Sequence, residues 1–190
     1  MLVSDGKLIA AKAGMGEVDL QARNLAFNNL TFLRDNEQSG NFQTFLWRIA
    51  RGAHVALYPN MNVADPVWAQ LMRDVRFRRA LSLAIDRQAV NESLFFGLAI
   101  QGNNTLLPDS PLFRERYQKS WAEYDLDMAS DLLDQIGLIV YIDDDIRLLS
   151  DGRPLEIIVE TAGEDTEQTD VLELIAENWA EIGVKMFIKL

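Results

Sequence analysis

One histidine, His54, and no cysteine bound the chemistry open to this sequence. Without a thiol there is no thiolate nucleophile, no disulfide and no cysteine-based zinc site. A single imidazole cannot build a multi-histidine metal centre. A serine–histidine–aspartate set would have to use His54, which lies in the apolar, strand-like run His54–Met61 without a G-x-S-x-G turn anywhere. G-x-G-x-x-G, G-x-x-x-x-G-K-S/T and H-E-x-x-H are absent too. Asp143, Asp144 and Asp145 lack the alternating oxygen ligands, central glycine and closing glutamate of a calcium loop, and read as a solvated turn. Glu160 and Glu164 could share acid–base work, but such pairs arise by chance among 29 acidic residues. Asn103-Asn104-Thr105 matches a glycosylation sequon, a pattern common by accident. The expectation is a chain with no catalytic residues, no metal site and no cofactor.

Charge narrows the partners. The formal net charge is -11, from 18 basic and 29 acidic residues. Such a chain repels phosphate backbones and anionic lipid, so nucleic acid is not an expected partner. The run Arg73, Arg76, Arg78, Arg79 is the local exception and reads as the solvated side of an amphipathic helix. The 190 residues, 48% hydrophobic and 25% charged, suit one globular domain over 1–190. No segment reaches the roughly 18–20 apolar residues of a membrane span. The start, MLVSDGKLIAAK, lacks signal-peptide architecture, and the end, VKMFIKL, is strand-like with no polar tail. Both ends suggest a piece of a longer chain.

The elements that would carry any site follow from periodicity and punctuation. Asp5 can cap a short helix with Leu8, Ile9 and Ala11, broken at Gly14 and Gly16. Val18–Arg23 reads as a strand, and Asn24–Glu37 as a helix ending near Gly40. Phe42–Ile49 and His54–Met61 read as strands covered on both faces. Asp65-Pro66 opens a helix, and a second carries Val75, Phe77, Ala80, Leu81, Ala84 and Ile85. Asp86 caps a third, Arg87–Phe96, closed by Gly97. Gln101–Ser110 is a polar loop. Leu126–Ile136 is a helix capped by Asp125 and stopped at Gly137. Asp151-Gly152 between Ile146–Leu149 and Leu155–Thr161 is a hairpin signal. Thr166–Glu181 is an amphipathic helix stopped at Gly183, and Val184–Leu190 is the last strand. This order predicts an α/β domain with a mixed β-sheet flanked by helices.

The run Asp74–Arg87 (DVRFRRALSLAIDR) resembles a hallmark of the peptide/nickel-type, family 5 solute-binding proteins of bacterial ABC importers, which read D-x-R-x-R-x-A-L-x-x-A-I-D-R there. Tyr124–Ala129 with Leu132–Gly137 resembles the family's Y-D-P-x-x-A…L-L-x-x-x-G segment, with Leu126 in place of the usual proline. Asp151-Gly152 with Leu155–Val159, then Leu174–Met186 with Ile182-Gly183-Val184, resemble its hairpin and its closing helix and strand. Gly16–Asp19 resembles its G-E-x-D. Five pieces in order over nearly the whole chain make the likeness specific.

The resemblance implies a periplasmic-binding-protein-like type II fold. It implies that the chain is most of lobe II of a two-lobe protein that closes on its ligand, with lobe I absent. It further implies a periplasmic or extracytoplasmic location, a small-molecule or peptide ligand, ABC permease subunits as partners and a monomeric fragment. An interaction or sensor module borrowing the fold is the alternative. Within the hallmark, Phe77, Leu81, Ala84 and Ile85 form a buried stripe and Asp86 caps a helix, so most of it reads as scaffold. Family positions facing the cleft lie on the strand before the hallmark helix. Here they fall on Tyr58, Asn60 and Asn62, an aromatic face and two amides suited to backbone-like ligand groups. Trp47 and Arg51 are lesser candidates.

Overall fold

A computed structural model describes residues 8–47, 51–142, 145–162 and 166–189. The chain separates into two compact units, Met1–Ala50 and Arg51–Leu190, where the sequence reads as one domain.

In the first unit, α1 (Leu8–Gly14) buries Ala10 and Ala13. Its expected cap, Asp5, lies outside the described residues. A 3-10 turn at Phe27–Asn29 leads into α2 (Leu30–Asp35) and α3 (Glu37–Gly40). The single helix expected over Asn24–Glu37 is therefore in pieces. Asn36 marks the break: its side-chain amide donates to the Phe32 carbonyl, 2.8 Å away, and such local bonds compete with the helix. Gly16, at φ +72°, sits where a Cβ would come within 2.4 Å of the Gly40 carbonyl oxygen, so only glycine fits this contact. Val18–Arg23 is not a strand. No partner strand is described in this unit, and an isolated strand leaves its backbone groups unpaired.

The second unit opens with helices that begin on aspartates. Asp65 accepts from the Val67 and Trp68 amides at the start of α4 (Pro66–Arg73). Asp74 accepts from Arg76 N at the start of α5 (Val75–Leu83), and Asp86 from Ala89 N at the start of α6 (Arg87–Phe95). Each cap satisfies a first-turn amide that lacks a partner within the helix. Phe96 (φ 52°) and Gly97 (φ 72°) then turn the chain out of α6. A short helix, α7 (Glu115–Lys119), was not foreseen. Asp125 caps α8 (Leu126–Gln135).

The core forms around α5. Phe77, Ala80, Leu83 and Ala84 are fully buried, and the helix packs along α8, where Ala129 and Leu133 are also sealed. Ile85, expected in the same stripe, is only half-buried.

The strands pair in two small sheets. β1 (Tyr141–Ile142) and β2 (Ile146–Arg147) are antiparallel. β3 (Glu156–Glu160) and β4 (Lys185–Lys189) are parallel and in register from Glu156↔Lys185 to Glu160↔Lys189. The helix α9 (Thr166–Ala180) connects them, as a parallel pair requires a crossover. Its Trp179 indole donates to the Leu81 carbonyl at 2.9 Å, pinning the crossover to α5. The Asp-Gly hairpin is present in short form: Leu148 and Pro154 bridge antiparallel, and Leu149 N donates to Arg153 O at 2.8 Å. Both pairing senses occur, so the fold is mixed α/β.

Two expected strands are corrected. Phe42–Trp47 and His54–Met61 form no ladder, while Arg48 and Ile49 lie outside the described residues. In the second run Pro59 has no N–H to donate. Asn60 Oδ1 accepts from Asn62 N at 3.0 Å, which closes a turn instead.

Arg153 ties the hairpin turn to α4, with its Nη2 2.8 Å from Asp65 and 2.6 Å from Asp151. The backbone amide of Trp68, and then Arg153, hold the Asp65 carboxyl below the ordinary aspartate range. The Arg153 side chain does the same for Asp151. Both groups release their protons more readily folded than unfolded. Their contribution is present above the ordinary aspartate value of about 4 and is lost as pH falls through the folded value. We expect the melting temperature to fall on acidification below about pH 4, and Asp151→Asn with Asp65→Asn, which keeps a competent cap, to flatten that limb. An unchanged acid limb in the double variant would remove these groups from the account.

Candidate functional site

The segment 51–58 runs alongside the carboxyl end of β3 and encloses with it a recess of about 500 Å³. Its walls are Arg51–Tyr58 on one side, Val159, Glu160 and Thr161 on the second, and Gln168 and Leu172 from the first turns of α9 on the third. Asn104, from the loop expected over Gln101–Ser110, closes the rim. The crevice beyond the carboxyl ends of parallel strands is where open α/β sheets bind ligands.

Local structure explains how each wall is held. Gly52 lets the loop approach: a Cβ there would lie 2.6 Å from both Asn104 Oδ1 and the Thr105 carbonyl. Asn104 Nδ2 donates to the Tyr58 hydroxyl at 3.0 Å, so the phenol's own proton stays available to a ligand. Beyond Tyr58, Arg73 Nε donates to the Met61 carbonyl at 3.1 Å and fixes the segment to α4. On α9, Thr161 Oγ1 and Gln168 Oε1 lie 3.2 Å apart, which leaves the Gln168 NH2 as a donor.

The charges lining the recess are largely answered. Glu160 pairs with Lys189 at 2.7 Å, and Lys189 holds the Glu160 carboxyl below its usual range. His54 Nδ1 is 3.2 Å from Glu167 Oε1, and its ring lies 5.0 Å from that of Phe95. His54 therefore bridges to α6 and α9 rather than sitting in a strand. Glu164, the proposed acid–base partner of Glu160, lies outside the described residues.

Of the three residues expected to face a ligand, Tyr58 lines the recess and is 80% exposed. Asn60 and Asn62 are exposed but occupy the turn beyond it. Arg51 is on the wall. Trp47 belongs to the first unit and is exposed. His54, Asn104, Thr161 and Gln168 were not anticipated. Asn103, the sequon asparagine, donates through Nδ2 to the Ser120 carbonyl at 2.6 Å. It holds the loop.

The hallmark run lies apart from the recess and works as a scaffold. All four arginines of the basic run bind the protein itself. Besides Arg73, Arg76 pairs with Asp74 at 2.7 Å. Arg78 donates to the Met72 carbonyl at 2.6 Å. Arg79 stacks on Trp121 at 4.3 Å. Arg87 donates to the carbonyls of Ser82 and Ala122 at 2.9 and 3.1 Å, joining α5 to the chain entering α8.

Residues 5–190 match the sequence profile of the bacterial extracellular solute-binding proteins, family 5, middle region. The chain belongs to this family. Among solved structures, an oligopeptide-binding protein OppA is 39% identical, with a TM-score of 0.77, covering 98% of this chain and 30% of its own. NikA from Brucella suis, in complex with Fe(III)-EDTA, is 23% identical with a TM-score of 0.73, covering 98% of this chain and 35% of its own. The oligopeptide-binding protein AppA from Bacillus subtilis, in complex with a nonapeptide, is 20% identical with a TM-score of 0.63, covering 99% and 34%. The last two likenesses speak to fold alone. This family 5 chain thus has a periplasmic-binding-protein-like type II fold and spans about a third of the length of these relatives. No curated protein sequence matches it.

Proposed function

We propose that this chain is most of the second lobe of the substrate-binding component of an ABC importer. In this reading the whole protein captures an oligopeptide-like solute between two lobes outside the cytoplasm and delivers it to membrane permease subunits. It performs no catalysis, and the chain is monomeric. The observation that carries the reading is the family match over 5–190. The recess at the carboxyl end of β3, with Tyr58 and Asn104 on its rim, supports it as one wall of the ligand cleft. An aromatic face and neutral amides suit peptide backbone, which offers both donors and acceptors at every residue.

The test is ligand-dependent thermal stabilisation of the full-length protein. Preferential binding to the folded state adds about 2.7 kcal/mol at a ligand concentration 100 times Kd. A library of short peptides, metal chelates and oligosaccharides should contain a stabilising member. Tyr58→Ala should weaken its binding about 10-fold or more, as loss of a buried aromatic anchor does. Tyr58→Phe should fall between. If no member of the library shifts the melting temperature, the transport reading is wrong. If Tyr58→Ala binds as the parent does, the recess is not part of the cleft.

A further inference from the structure

We propose that the stretch Phe96–Pro108 is the surface on which the other lobe of the protein closes, an inference that rests on the reading of the recess as one wall of a ligand cleft. Phe96–Pro108 contains no charged residue, in a chain that is 25% charged. Leu98 and Ile100 are 60% and 80% exposed, and Phe96, Leu106 and Leu107 are exposed with them. Exposed apolar side chains gathered in one short stretch mark a contact surface.

The backbone beneath these side chains is held in place. Asn91, buried in α6, donates through Nδ2 to the Ala99 carbonyl at 3.0 Å and accepts from Ala99 N at 2.9 Å. Asn103 N donates to the Gln118 carbonyl at 2.8 Å. A surface fixed before contact loses little freedom on docking. The stretch also frames the recess. Phe95, just before it, lies 5.0 Å from His54, ring to ring. Gly52 packs on Asn104 and Thr105, and Asn104 holds the Tyr58 hydroxyl. His54, Gly52 and Tyr58 all belong to the wall Arg51–Tyr58.

Position and charge together select the occupant. The chain spans about a third of the length of its relatives, so most of such a protein lies outside it. A second copy of the chain would bring another -11 to the contact, and like charge opposes association. Separate molecules such as permease subunits are steered together by complementary charge, which this stretch lacks. A lobe of the same polypeptide needs no steering, because its tether keeps it at high effective concentration. Closure then buries apolar surface on both lobes, and the stability of the closed state adds to ligand affinity.

The experiment uses the full-length protein and isothermal titration, with trialanine, hexaalanine and Fe(III)-EDTA as probes. The variants are Leu106→Asn and Ile100→Asn, singly and combined, and neither residue is on the walls of the recess. The double variant should bind every probe that the parent binds about 10-fold more weakly, by the same factor for each. Its ligand-free melting temperature should match that of the parent. Small-angle scattering at one fixed probe concentration should show the parent compact and the double variant partly open. Weakening that differs between probes would mean direct contact with the ligand and overturns the closure surface. A lower ligand-free melting temperature also overturns it, because the cover would then lie within the open lobe. Unchanged affinity overturns it too, and loss of uptake in cells at unchanged affinity would hand the surface to the permease. Each of these leaves ligand capture intact. A parent that binds none of the three probes, and nothing in the wider library, overturns both readings.

Discussion

Replacing Arg147 by methionine should lower the unfolding free energy by about 3–5 kcal/mol, a loss typical of breaking a buried charged network. Arg147 sits in β2 and is 1% exposed. Its Nε donates to the Ile182 carbonyl at 2.8 Å. Its Nη atoms reach the Leu138 carbonyl, the Asp134 carboxylate and the Ser130 hydroxyl. The guanidinium also stacks on Tyr141 at 4.9 Å. One side chain therefore joins β1, β2, the end of α8 and the turn after α9. Methionine keeps much of the stem volume, so the loss is mostly polar. Two buried carbonyls would be left without donors, at about 1–3 kcal/mol each, and the hydroxyl and the stacking add to that. The ion pair itself is the smaller part, because Asp134 is 51% exposed and water can solvate its charge. Asp134→Ala should accordingly cost about 1 kcal/mol or less. Urea denaturation of both variants reads the contrast. Similar losses in the two would mean that the ion pair, rather than the carbonyl network, supplies the stability.

Arg147 also marks where the sequence stops being legible. The strand around Ile146 is visible from its apolar run, but an arginine within a strand normally reads as the solvated face. Only the packing of α8 and the turn after α9 on both sides buries it. The helices are legible because their signals are local. Asp65-Pro66, Asp86 and Asp125 each accept from amides two or three residues on, and Gly97, Gly137 and Gly183 each sit at positive φ where a helix ends. The parallel pair is legible in its parts, though its partner assignment comes from the crossover. The false strands fail for a common reason. Val18–Arg23 and His54–Met61 have strand-like composition, but a strand exists only with a partner, and composition does not name one. The candidate site follows the same rule. Tyr58 is reached through the family resemblance, on a run that reads as a strand, whereas Asn104, Thr161 and Gln168 reach the recess from distant segments with no local pattern. The hallmark run names the family through residues that hold helices together, not through residues on the recess.

The second large loss is expected at Arg87, where stability and the recess are coupled. Its guanidinium donates to the carbonyls of Ser82, Ile85 and Ala122 at 2.9, 3.4 and 3.1 Å. It also donates to the Ser82 hydroxyl at 2.9 Å and to Asn103 Oδ1 at 3.3 Å. Burial pushes its pKa down, partly offset by Glu123, the signature of a cation taken out of water to organise dipoles. Arg87→Met should cost about 2–4 kcal/mol, since bonds from a charged donor are worth about 1.5–3 kcal/mol each but are not additive. Arg87→Lys should recover little, because an ammonium cannot reach acceptors spread over the plane of a fork. The further consequence is local. Asn103 is held by Arg87 on one side and, through its own N–H, by the Gln118 carbonyl at 2.8 Å. Asn104, the next residue, holds the Tyr58 hydroxyl. Freeing Asn103 loosens the loop that sets that donor. Hydrogen exchange should therefore show the Asn103 amide losing protection in Arg87→Met by more than the global loss of stability accounts for. Ligand binding by the full-length protein should weaken alongside it, although Arg87 does not line the recess. Uniform loss of protection across the core would make Arg87 a scaffold residue alone. A loss centred on residues 101–105 would make it the residue through which the hallmark run positions the recess.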